Sequence, residues 1–128
     1  MATSSKPRLK TFQAEGVIRP YRFVKWGAAA GGMLECDANE KALGIYQGDD
    51  TLASGEFGEV ALAGGGALVE ASETITAGQL LTPTADGVAE VVDAANEFYG
   101  AVAFEGAASG DIFYCEVVAP TESVSSDV

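Results

Sequence analysis

The sequence predicts an all-β protein: a small single-domain barrel or sandwich of about eight short strands behind an extended N-terminal arm. Three observations carry that expectation. Short apolar stretches recur every roughly 8–12 residues, as strands of a sandwich or barrel do. Glycine, Asp-Gly and Pro punctuate nearly every gap between them. No stretch repeats its apolar residues at the three-to-four spacing of an amphipathic helix.

Taken in order, residues 1–10 (MATSSKPRLK) are small, polar and basic, with Pro7 opposing an early helix. Thr11 to Ile18 is weakly patterned and broken by Gly16, so residues 1–19 read as an extended basic arm. Tyr21 to Trp26 alternates, with Tyr21, Phe23 and Lys25 on one face and Arg22, Val24 and Trp26 on the other. Gly27 to Gly32 is too rich in glycine for a helix and reads as a loop. Met33 to Cys36 and Ala42 to Gln47 are strand-like, separated by the polar turn Asp37 to Glu40. Gly58 to Gly64 alternates cleanly, placing Val60 and Leu62 opposite Glu59, Ala61 and Ala63. After the turn Gly64–Gly66, Ala67 to Glu70 forms another strand. Asp86-Gly87 is the strongest hairpin signal, flanked by Leu80-Leu81-Thr82 and Val88 to Val92. Phe98 to Phe104 and Asp111 to Val118 complete the domain, with Phe113, Cys115 and Val117 sharing a face. The folded region is therefore expected at 20–119 and a loose polar tail at 120–128.

Composition narrows the chemistry. At 128 residues, 48% of them apolar, the chain can bury a core without a disulfide or metal. It contains no histidine, which removes Ser-His-Asp and Cys-His catalysis and the usual zinc sites. Two cysteines are too few for a thiolate-only zinc cluster. The longest weakly polar run, Trp26 to Leu34, is far short of the ~20 residues that span a bilayer. The basic N-terminus has no apolar stretch behind it, so no secretory signal is expected. No spacing singles out a pair of catalytic carboxylates, and Gly64–Gly66 lacks the lysine and helix of a phosphate loop. Asp49-Asp50 is an ordinary acidic turn rather than a calcium loop. Cys36 and Cys115 are compatible with a pair, but nothing indicates an oxidising compartment, and Cys115 on an apolar strand face reads as a buried thiol. No catalytic residue, cofactor or metal is expected, and the chain reads as a non-enzyme.

Charge is unevenly placed within the formal net of −12. Residues 1–25 hold Lys6, Arg8, Lys10, Arg19, Arg22 and Lys25 against Glu15, a net of +5. Residues 26–128 hold Lys41 against eighteen acids, a net of −17. Such a body repels phosphates, so direct nucleic-acid binding is not expected. The six cations and Trp26, the single tryptophan, are the candidate interface to an acidic partner or to a neighbouring copy.

The order of motifs resembles the small decoration, or cement, proteins of tailed-phage heads. The resemblance rests on Gly44-Ile45, Gly58-Glu59-Val60, Ala77-Gly78, Asp86-Gly87, Gly100-Ala101-Val102-Ala103 and Gly110-Asp111, within YRFVKWG, KALGIYQGDD, GEFGEVALAGGGALVEAS, ITAGQLLTPTADGVAEVV and FYGAVAFEGAASGDIFYCEVV. It covers about residues 20–120 and departs at Gln79, where an acid is common, and in the bland loop 27–32. It implies a virion protein on the outer surface of the expanded capsid, made in the host cytoplasm. Its partner would be the major capsid protein, and it would act as a homotrimer bridging adjacent capsid subunits, its arm completing the contact. On that reading, removing residues 1–19 leaves the fold intact and weakens capsid binding, while Arg19, Arg22 and Lys25 meet an acidic rim. Two other classes fit the composition: the base of a head fibre, distinguished by copy number, and a soluble β-barrel with a ligand pocket.

Overall fold

A computed structural model describes residues 8–95 and 97–122, and these form ten strands and no helix. Five make a closed barrel: β1 (Leu9–Ala14), β2 (Phe23–Trp26), β3 (Gly32–Glu35), β4 (Gly44–Tyr46) and β5 (Phe57–Leu62), in the order β1-β3-β2-β4-β5. The other five are β6 (Gly66–Glu70), β7 (Leu80–Pro83), β8 (Ala89–Val91), β9 (Phe98–Ala103) and β10 (Ile112–Glu122), in a sheet ordered β6-β10-β9-β7-β8. The all-β expectation holds, but a single unit of about eight strands becomes a barrel packed against a second sheet.

The largest correction is at the N-terminus. The described part of the expected arm, residues 8–19, is built into the domain. β1 pairs antiparallel with β5 from Leu9↔Ala61 to Gln13↔Phe57 and parallel with β3 at Gln13↔Gly32 and Ala14↔Met33, so it closes the barrel. Its signal was weak because only Phe12 and Ala14 point inward, while Leu9, Thr11 and Gln13 face out. Ile18, beyond β1, is fully buried and bridges Leu52. Two smaller shifts concern ends. Tyr21 adopts a positive φ of 56°, so the second strand starts at Phe23 rather than Tyr21. β10 runs to Glu122, past the expected boundary, with a register shift between Val117 and Thr121 that accommodates Pro120, which has no N–H to donate.

Alternation along the barrel strands serves two cores at once. Val24, Tyr46 and Val60 point inward with Phe12, Ile18 and Met33. Their neighbours Phe23, Ile45 and Ala61 point outward, yet are equally buried, because the second sheet lies over them. That sheet supplies Val69, Leu81, Ala101, Ala103, Phe113, Cys115 and Val117. Phe113, Cys115 and Val117 therefore share the buried face that their alternation predicts. The Asp86-Gly87 hairpin forms as expected: Gly87 has φ 77° and donates to the Thr84 carbonyl at 2.9 Å between β7 and β8.

Candidate interaction surface

The cations expected to meet a partner divide into two groups. Arg8 and Lys10 are exposed on or just before β1, and Arg8 Nη1 donates to the Ala63 carbonyl at 3.2 Å. Lys6 lies outside the described residues. Arg19, Arg22 and Lys25 instead engage carboxylates and carbonyls of this same chain. Arg19 forms a fork on Glu35, Nε to Oε2 at 3.1 Å and Nη2 to Oε1 at 2.8 Å, and its backbone N–H also donates to Oε2. Its Nη2 lies 3.5 Å from Asp86 Oδ1. Arg22 donates from Nη1 to the Asp86 carbonyl at 2.9 Å, and its Nη2 lies 3.6 Å from Glu70. Its Nε is buried without a partner among the described residues. Because Asp86 sits in the β7–β8 turn and Glu70 ends β6, the two arginines pin the barrel to the second sheet.

Lys25 donates to Glu40 at 2.8 Å and lies 3.7 Å from Asp37. The Lys25 hydrogen bond, with a second from the Asp37 N–H, holds the Glu40 carboxyl below its ordinary range. Glu15, the single acid of the basic segment, accepts from the Ala28 and Ala29 N–H groups at 2.8 and 2.9 Å, organising the loop that follows β2. These two bonds, Ala29 first, lower its pKa. Trp26 is 64% exposed and meets Phe12 edge-on, with ring centroids 5.6 Å apart, so it covers the barrel core with most of its surface left free.

No group of three or more acids and cysteines among the described residues has the geometry to hold a metal. Cys36 and Cys115 are both buried free thiols, each pushed up to about 12 first by burial. The barrel interior is filled by its own side chains, and grooves over the segment from Tyr46 to Glu59 are open and edged by Asp49, Asp50, Glu56 and Glu59.

The feature that sequence reasoning passed over lies on the second sheet. Tyr114 and Ile112 of β10 and Phe104, just after β9, are 45%, 41% and 42% exposed. Tyr114 is opposite Leu68 in register and accepts the Phe104 N–H, and Leu80 is opposite Val102. Leu68, Val102 and Leu80 are half-buried, so the outer face of this sheet is largely apolar. Its signal was present: in β9 and β10 apolar residues occupy both alternating sets, which calls for cover on both faces.

The fold, a β-barrel joined to a five-stranded sheet, has a counterpart among solved structures. The chain is similar to the N base of head fibre gp8.5 of bacteriophage phi29, with a TM-score of 0.67 and 19% identity, over 90% of this chain and 98% of that one. At that identity the likeness establishes a shared fold. No protein-family profile matches the chain, and no curated protein does.

Proposed function

We propose that this chain is a non-enzymatic structural protein of a tailed-phage virion, seated on the outer surface of the head as a base that anchors a projecting structure. The observation that carries this reading is the likeness to the phi29 fibre base over nearly the full length of both chains. Its partner is the major capsid protein, and it works as a homotrimer, without a cofactor and without contacting nucleic acid. The acidic body, net −17 over residues 26–128, fits a protein that faces solvent rather than packaged DNA.

A second reading, the decoration protein that bridges adjacent capsid subunits, is favoured by the motif order from Gly44-Ile45 to Gly110-Asp111. Both readings expect saturable co-sedimentation of the purified protein with expanded heads and none with unexpanded shells. Absence of binding to either removes both. Copy number in purified virions, measured by quantitative mass spectrometry, separates them: tens per particle support the fibre base, and hundreds support decoration.

A further inference from the structure

We propose that copies of this chain join head to tail, the basic start of β1 in one copy docking into the acidic groove beside Phe57 of the next. The inference rests on the homotrimer of the reading above and says which surfaces join its subunits.

The docking edge is the part of the barrel that its own strands leave open. β3 meets β1 only at Gln13 and Ala14, so Leu9 to Phe12 have a strand on one side alone. Backbone groups alternate in direction along a strand. Arg8 accepts the Leu62 N–H and Ala14 donates to the Glu56 carbonyl, both towards β5, whereas Gln13 donates the other way, to Gly31. Leu9 and Thr11 share the direction of Gln13, and their backbone groups find no partner there among the described residues. Both edges of the second sheet, by contrast, are capped by side chains of this chain, Gln47 on β6 and Glu73 on β8. At β1 the adjacent polar side chains are Arg8 and Lys10, which are donors and cannot cap an N–H. Lys10 has no acceptor among the described residues, and Arg8 has the Ala63 carbonyl. Leu9, 45% exposed, lies between them. Free N–H groups and two cations around an apolar side chain are complemented by carboxylates around an apolar centre.

The groove between the turn after β4 and the start of β5 has that composition. Phe57, 65% exposed, lies in it with Asp49, Asp50 and Glu59. The carboxylates of these three acids have no hydrogen-bond or ion-pair partner among the described residues. One copy cannot bring its own groove to its own edge. Leu9 pairs with Ala61, while Asp49 and Asp50 follow β4 towards the Phe57 end of β5, and from Ala61 to Phe57 the strand rises about 13 Å. Glu59 does sit opposite Thr11, but on the paired side of β1, away from the open edge. Charge also rules on how two copies meet. Joining β1 to β1 antiparallel about Lys10 would set like charges opposite one another. Joining the basic edge to the acidic groove is a contact between two different surfaces, which closes into a ring as a homotrimer requires.

The test is sedimentation velocity of the full chain over a range of protein and salt concentration, with amide exchange read at β1. The wild type is expected to form an oligomer that dissociates as salt rises, and the Leu9 and Thr11 amides to exchange about tenfold or more slowly in the oligomer than in the monomer. Lys10→Glu alone, and Asp49→Lys together with Asp50→Lys, are each expected to weaken association by about tenfold or more at unchanged near-UV circular dichroism. Combining the three reversals in one chain should restore association, a recovery that damage to the fold would not give. A wild type that stays monomeric, or reversals without effect or without mutual rescue, overturns the contact. An oligomer in which Leu9 and Thr11 exchange as fast as in the monomer uses another surface and likewise overturns it. Co-sedimentation with expanded heads is measured separately: binding by a monomeric wild type leaves the head-surface reading standing without the contact, and an oligomer that binds no heads leaves the contact standing without that reading.

Discussion

Gly44, of the Gly44-Ile45 pair, sits on β4 between β2 and β5, opposite Val24 and Leu62. A Cβ there would run into the carbonyl oxygen of Ala61 and lie 2.8 Å from Val60 Cγ1. The obstruction includes backbone held in the β4–β5 ladder at Gly44↔Leu62, so it cannot swing away. Gly44→Ala is expected to destabilise the protein by about 1–3 kcal/mol, read as a lower urea midpoint at unchanged slope. The cysteines offer a second test at this scale. With both thiols buried and shifted up to about 12, neither forms appreciable thiolate at about pH 8. Ellman's reagent should find no reactive thiol in the native protein and both once it is unfolded; rapid native reaction would contradict their burial.

At the scale of elements, the exposed edges of the second sheet are closed by side chains rather than by further strands. On β6, the Gln47 amide imitates a neighbouring strand, accepting the Leu68 N–H at 3.0 Å and donating to the Leu68 carbonyl at 2.8 Å. On β8, Glu73 accepts the Val91 N–H, and Ser72 donates to the Ala89 carbonyl. Such capping removes the template for unwanted strand pairing. The β7–β8 turn is held from the barrel side by Arg22 and by the Phe23 N–H, which donates to the Gly87 carbonyl at 2.8 Å. Arg22→Ala removes the charged donor and leaves the backbone bond. A hydrogen bond from a charged group contributes about 1.5–3 kcal/mol. Amide exchange at Gly87 and Val88 is therefore expected to quicken by about tenfold or more, with little change in β10; equal quickening in both would mean global destabilisation instead.

For the whole molecule, the sharpest test concerns residues 1–19. Their removal deletes β1 and with it Phe12, Ala14 and Ile18, all buried in the barrel core. Losing one buried aromatic or large aliphatic side chain costs about 2–5 kcal/mol, against a total stability of about 5–15 kcal/mol. The truncated chain should therefore lose its cooperative thermal transition, contrary to the expectation of a dispensable arm; a retained transition would show that the barrel closes without β1. Acidity of the body has its own signature. Glu90 is pushed above the ordinary carboxylate range first by burial and then by Glu73, Glu97 and Asp93. A raised folded pKa favours folding below the unfolded value, and that contribution is lost as pH rises through the folded one. Glu90→Gln should accordingly stabilise the protein near neutrality and make little difference at about pH 3. Glu40, held low by Lys25, acts in the opposite sense: its contribution is present above the unfolded value and lost as pH falls through the folded one.

By itself the sequence determined the all-β class, most of the strands, the Asp86-Gly87 hairpin and the buried face of β10, because alternation and turn chemistry are local properties. Three things were decided only in the tertiary structure. β1 has two inward residues and becomes a strand only because β3 and β5 lie on either side of it. Phe23 and Val24 are neighbours buried in different cores, which no single-face pattern anticipates. The fate of the basic residues is the third. Arg19, Arg22 and Lys25 read as free charge along the chain, but their partners Glu35, Asp86, Glu70 and Glu40 lie 15 to 67 positions away. Charge along a chain reports only composition, whereas its availability to a partner depends on which carboxylates folding has already brought beside it.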